Sequence, residues 1–108
     1  MANWGKKEEF KGRVRDWAEK LDVQVRIVTI RSMKNKWASC STVGNLTFDS
    51  ELLSQGPKEW DYVIVHELLH FSVPNHGRLW KSLMRAHLGE YEKIEKRLGN
   101  AGWLVTKA

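Results

Sequence analysis

Four residues of this chain could do chemistry together: His66, Glu67 and His70, within His66-Glu67-Leu68-Leu69-His70, and His76 after five more residues. On a helix, side chains four apart share a face, so His66 and His70 can offer two imidazoles to one metal ion. Glu67 is turned about 100° from His66, which directs its carboxylate toward a water on the metal rather than toward the metal itself. Three protein nitrogens leave one tetrahedral position open, the mark of a catalytic rather than a structural zinc site.

The elements around the motif must place the third histidine. In an unbroken helix His76 would lie about 240° around from His70, facing away. Pro74 predicts a break between them, because it lacks an amide hydrogen and forces Val73 out of the α region. Asn75 and Gly77 give the backbone freedom to turn His76 back. Upstream, Gly56-Pro57 opens the metal helix, with Glu59 in its first turn. Tyr62, Val63, Ile64, Val65, Leu68, Leu69 and Phe71 make that helix apolar on almost every side, so it is the core.

Taken in order, Phe10, Val14, Trp17 and Leu21 predict an amphipathic helix from about Lys6 to Lys20. Val23 to Ile30 alternates as a strand, and Arg31 to Lys36 is a basic loop. Trp37 to Ser41 and Asn45 to Phe48 flank Thr42-Val43-Gly44, where the glycine and the asparagine after it suit a hairpin turn between two short antiparallel strands. Leu79, Trp80, Leu83, Met84, His87 and Leu88 repeat at three and four and predict a packed helix broken at Gly89. Tyr91, Ile94 and Leu98 continue to a cap at Gly99, and Trp103 to Val105 form a docked tail. The expected fold is α+β, a small antiparallel or mixed sheet packed on the metal helix with further helices.

The length of 108 residues suits one domain, residues 1–108. The net charge of +5 is unevenly spread. Residues 1–36 carry ten basic and five acidic side chains and residues 77–108 seven and three, whereas 37–76 hold one and five. Solvated lysine-rich helix faces explain such flanks, and nucleic acid is a second partner class that they allow. Cys40 is the only cysteine, which excludes an internal disulfide and fits a reducing compartment. No apolar leader follows the charged start and no run is long enough to span a bilayer, so the expectation is a cytoplasmic protein without membrane contact.

Trp37-Ala38-Ser39-Cys40-Ser41, Gly44-Asn45-Leu46, the His66–His70 motif, Asn75-His76 and Trp80 together resemble the YgjP-like metallopeptidases, zincins distantly similar to the SprT-like proteases. The resemblance runs from about Trp37 to Trp80. It implies a zincin-like minimal domain with Zn2+ as cofactor, three histidine ligands, Glu67 as general acid/base and a peptide or protein substrate. It also places Trp37, Ala38, Ser39 and Cys40 at the substrate cleft, where main-chain hydrogen bonds would receive an added strand. Ala38 stands where the family usually has glycine, and the N-terminus looks shorter than in longer members, which suggests a minimal catalytic domain. The metzincins share the step to the third histidine but have glycine where this chain has Val73.

In the resulting reading, Glu67 takes a proton from a zinc-activated water and delivers it to the leaving amine. Tyr62, Tyr91, Arg78 and His87 are oxyanion candidates by type alone. Cys40 reads as a fourth ligand, a redox block or a small buried hydrophobe. Glu90, Glu92 and Glu95 are alternative third ligands. Two competing functions are an SprT-like protease recruited by nucleic acid and a non-catalytic zinc-stabilised interaction module, which would have no use for Glu67. Substrate preference and oligomeric state are not encoded in these features.

Overall fold

The computed structural model describes residues 4–33, 37–41, 43–71, 73 and 77–100. Helix α1 (Trp4–Leu21) is followed by β1 (Ile27–Arg31), β2 (Ala38–Cys40), β3 (Asn45–Asp49) and a 3-10 turn (Ser50–Ser54). Helices α2 (Pro57–Leu69), α3 (Arg78–Leu88) and α4 (Glu92–Asn100) complete the chain. Phe10, Val14 and Ala18 form the buried stripe of α1, while Trp17 and Leu21 pack at its edge. The helix ends in a Schellman motif: the Val23 amide donates to Ala18 O (2.9 Å) and the Asp22 amide to Glu19 O (3.2 Å). Asp22 takes the left-handed conformation (φ 57°) usually left to glycine, which aspartate tolerates better than most side chains.

The sheet has the order β1-β3-β2 and is mixed, with β1 parallel and β2 antiparallel to β3. The hairpin is as its sequence predicts. Gly44 has a positive φ of 96°, and a Cβ there would lie 2.9 Å from Gln24 O, so both backbone sign and space require glycine. The first strand is shorter than its alternation suggests. Its partner begins at Asn45, opposite Ile27, so Val23 to Gln24 have no ladder neighbour and Arg26 is held through its amide to Gly44 O (2.8 Å). Val28 and Ile30 face the core, and Ile27 is left 52% exposed.

Helix α2 is the centre of the molecule, with every residue from Tyr62 to Leu69 buried. Phe10 packs edge-on to both Phe48 (4.9 Å) and Trp60 (5.0 Å), joining α1, sheet and α2. Arg13 and Trp17 of α1 clasp Asp61 of α2 at 2.6, 3.0 and 2.8 Å. The 3-10 turn, which has no strong sequence signature, buries Leu52 and Leu53 beneath Trp60. Helix α3 buries Trp80 and Met84, but Leu79 and His87, expected on the same stripe, are exposed. Gly89 (φ 71°) ends α3, as its sequence predicts. Helix α4 runs through Gly99, the expected cap, to Asn100. The expected tail Trp103–Val105 lies outside the described residues.

Candidate metal centre

Helix α2 stops at Leu69, with His70 as its C-cap, and the backbone tightens through bonds from His70 N to Glu67 O and Phe71 N to Leu68 O, both 3.2 Å. The expected break before His76 is therefore present. Pro74, Asn75 and His76 themselves lie outside the described residues. On the last turn, His66, Glu67 and His70 each offer a ligand atom within 4.8 Å of the others, and among the described residues they form a metal-capable group. His66 is 2% and Glu67 0% exposed; His70 is half-buried. The imidazole centroids are 4.9 Å apart with planes at 78°.

Glu67 Oε2 lies 3.3 Å from His66 Nδ1, while its Oε1 is buried without a hydrogen-bond partner. A fully buried carboxylate oxygen left unsatisfied costs stability, and native proteins retain such groups mainly where they act. Two imidazoles, a carboxylate and this orphaned oxygen fit a transition metal with a basic group beside it.

Trp80 of α3 holds both histidines: its ring is edge-on to His66 at 5.0 Å and stacked over His70 at 6.5 Å. Tyr62, one turn before His66, lies 5.7 Å from it, and Tyr91 backs both Tyr62 and Trp80 at 6.2 Å. The positioning contacts of Trp80 were not legible in sequence, where an aromatic on a helical stripe reads as core.

The other sequence candidates separate. Tyr62 donates its hydroxyl to Glu95 Oε2 (2.9 Å), so burial and then the Glu95 charge push its pKa up, and the group is committed. Tyr91 is also shifted up, chiefly by burial, with the charges of Glu92 and Glu95 adding to it. His87 faces Trp17 at 5.9 Å, in a separate cleft of about 400 Å³ that contains none of the motif residues. Arg78 lies on the outer face of α3 with Lys81, Ser82 and Arg85. Glu92 pairs with Arg85 and Glu90 with Lys93, so none of the three α4-side glutamates joins the metal-capable group.

Strand β2 lies beside α2 at one edge of the sheet. Trp37 and Ala38 are each 1% exposed. Their side chains belong to the core, which leaves the strand's main chain as what they could present. Ser39 and Cys40 are half-buried. The Cys40 thiol lies near Glu67; burial first, and then the neighbouring Glu67 carboxylate, push its pKa up to about 11. Cys40 is not in the metal-capable group, and a thiol held protonated is a poor ligand and a poor redox sensor.

The mixed sheet under a buried helix whose last turn carries this group defines an α+β metallopeptidase fold. The YgjP-like metallopeptidase domain family matches residues 2–101, and the chain belongs to that family. Among solved structures, it is similar to the metallopeptidase zymogen jannalysin of Methanocaldococcus jannaschii, at 25% identity and TM-score 0.74, covering 85% of this chain and 95% of that one. It shares its fold with the metallopeptidase zymogen abylysin of Pyrococcus abyssi, at 22% identity and TM-score 0.73, covering 85% and 93%. No curated protein matches the chain. Among the described residues, no helix is long and apolar enough to cross a membrane.

Proposed function

We propose that this chain is a zinc-dependent peptidase in which His66, His70 and His76 hold the metal and Glu67 is the general acid/base. The observation that carries the reading is the buried, unpartnered Oε1 of Glu67 beside two imidazoles on one helical turn. When bound, zinc lowers the pKa of a water toward neutrality and polarises the scissile carbonyl. Glu67 accepts the attacking water's proton at Oε1 and returns it to the leaving amine, a role typically worth about 10²- to 10⁴-fold. Trp80 and Tyr62 fix the imidazoles, so little reorganisation is needed. The outer edge of β2 receives an extended segment of an unfolded protein through main-chain hydrogen bonds, a mode that asks little of its sequence.

Metal content and cleavage of an unfolded protein test this together. About one zinc per chain is expected, lost with His70→Ala and His76→Ala and kept with Glu67→Gln, while all three variants lose cleavage. A wild-type chain that takes up no zinc when it is supplied refutes the reading.

A second reading, recruitment by nucleic acid, is favoured by one observation. A cleft of about 350 Å³ on α3 is lined by Gly77, Arg78, Lys81, Ser82 and Arg85, with no acidic side chain among them. It predicts DNA binding that weakens steeply with salt, and an absence of binding at low salt removes it.

A further inference from the structure

Among the described residues, four polar or charged side chains are buried: Asp49, Glu59, His66 and Glu67. The last two belong to the metal centre, and Glu59 is paired with Arg97 at 2.6 Å. Asp49 is 1% exposed, has no ion pair with a described residue, and plays no part in the proposed chemistry. It ends β3, the central strand, between the exit of β1 and the entry to β2.

Its bonds reach both ends of the connection between those strands. Asp49 Oδ1 accepts from the buried Met33 amide at 2.8 Å, and the Asp49 amide donates to Trp37 O, also at 2.8 Å. The carboxylate thus straps the chain where it leaves β1, next to the point where the residue's main chain, as any residue's would, holds the turn into β2. The second oxygen, Oδ2, is buried without a hydrogen-bond partner. An apolar side chain would serve the core better, because a buried carboxylate with unused acceptor capacity is costly. The carboxylate supplies something the core does not need, a fixed take-off point for β2.

We propose that Asp49 is a positioning residue: its carboxylate holds the Met33 amide beside the main-chain bond to Trp37, and so sets the placement of the β2 edge that receives substrate. This rests on the peptidase reading for its consequence, though not for the strap itself. The contact with Met33 is made by a side-chain acceptor, so it can be removed without touching α2. Loss of the strap loosens the strand that binds substrate and leaves the metal centre intact.

The test uses the full chain, with amide hydrogen exchange as its first readout. In Asp49→Ala, exchange at Met33 and across residues 37–41 should quicken about tenfold or more, while that of residues 60–68 in α2 stays within about twofold. Zinc content should be unchanged, and KM for an unfolded protein should rise about five- to tenfold with kcat within about threefold. Asp49→Asn keeps an acceptor at Oδ1 and should restore both exchange and KM. If Ala fails to fold, Asp49→Val fills the site, suits a strand and still removes the acceptor. Unchanged exchange at Met33 and 37–41 overturns the strap, and quickened exchange with unchanged KM overturns its role toward substrate. If the wild-type chain neither binds zinc nor cleaves, the peptidase reading and the substrate role fall, and the exchange result still decides the strap.

Discussion

Glu67→Gln should have two effects of opposite sign, both worked from the same buried oxygen. In the metal-free protein, Glu67 is fully buried, its Oε1 has no hydrogen-bond partner, and its Oε2 makes one long contact of 3.3 Å to His66 Nδ1. Glutamine keeps an acceptor for His66 but puts an equally unpartnered amide NH2 where Oε1 stood; because an unsatisfied charged group costs more than a neutral one, whose typical penalty is about 1–3 kcal/mol, the net gain is about 1 kcal/mol. For 108 residues, with an unfolding entropy of about 2.1 cal/mol/K per residue, that raises Tm by roughly 4 °C. Glu67→Leu also discards the free oxygen but forfeits the His66 contact, so its net gain is about 0–2 kcal/mol, or roughly 0–9 °C. Thermal melts in excess chelator measure both, since bound metal would add its own stabilisation. Cleavage by the zinc-loaded Gln variant should fall about 10²- to 10⁴-fold, roughly 2.7–5.4 kcal/mol of barrier. A Gln variant that melts several degrees below wild type, or keeps more than about a tenth of its activity, refutes the argument that stability is sacrificed here for catalysis.

Trp80→Phe should keep zinc nearly as tightly as wild type, whereas Trp80→Leu releases it to a chelator at least about tenfold faster, because only the aromatic ring abuts both imidazoles; equal release rates remove Trp80 as a positioning residue. Cys40, raised from 9.0 to about 11, should react with iodoacetamide at pH 8 about 100-fold more slowly in the folded metal-free protein than in urea. Its folded pKa is the higher one, so the stability it contributes is fully present below about pH 9 and is lost as pH rises through about 11; urea midpoints compared between wild type and Cys40→Ala across pH 8–11 check the sign, and a difference that does not shrink refutes it.

The parts of this protein legible in its sequence are those decided within a few residues. A histidine pair four apart shares a helical face whatever surrounds it, and Pro57, Gly44 and Gly89 act on their own backbone. These features give the metal helix, the hairpin turn and the end of α3 at close to their observed positions. The buried stripe of α1 is likewise set by spacing, although Ala18 rather than Trp17 completes it, because Trp17 spends its indole N–H on Asp61.

What only the tertiary structure decided depends on partners far apart in the chain. That β1 runs parallel to β3 cannot be read from alternation, since either direction satisfies the same pattern of inward side chains. The pairing fixes where β1 starts and leaves Ile27 in solvent. Cys40 and Glu67, or Tyr62 and Glu95, meet because β2 and α4 both pack on α2, and no local rule encodes that meeting. Asp49 is the clearest case: in sequence it is an acidic residue between a strand and a turn, where aspartate is common and exposed. Only the folded sheet shows it buried between two ends of one loop. The sequence by itself determined the chemistry that one helical turn can carry; the packing of strands and helices around that turn determined which other side chains hold, shield and serve it, because those distances are set by the burial of apolar surface rather than by covalent neighbours.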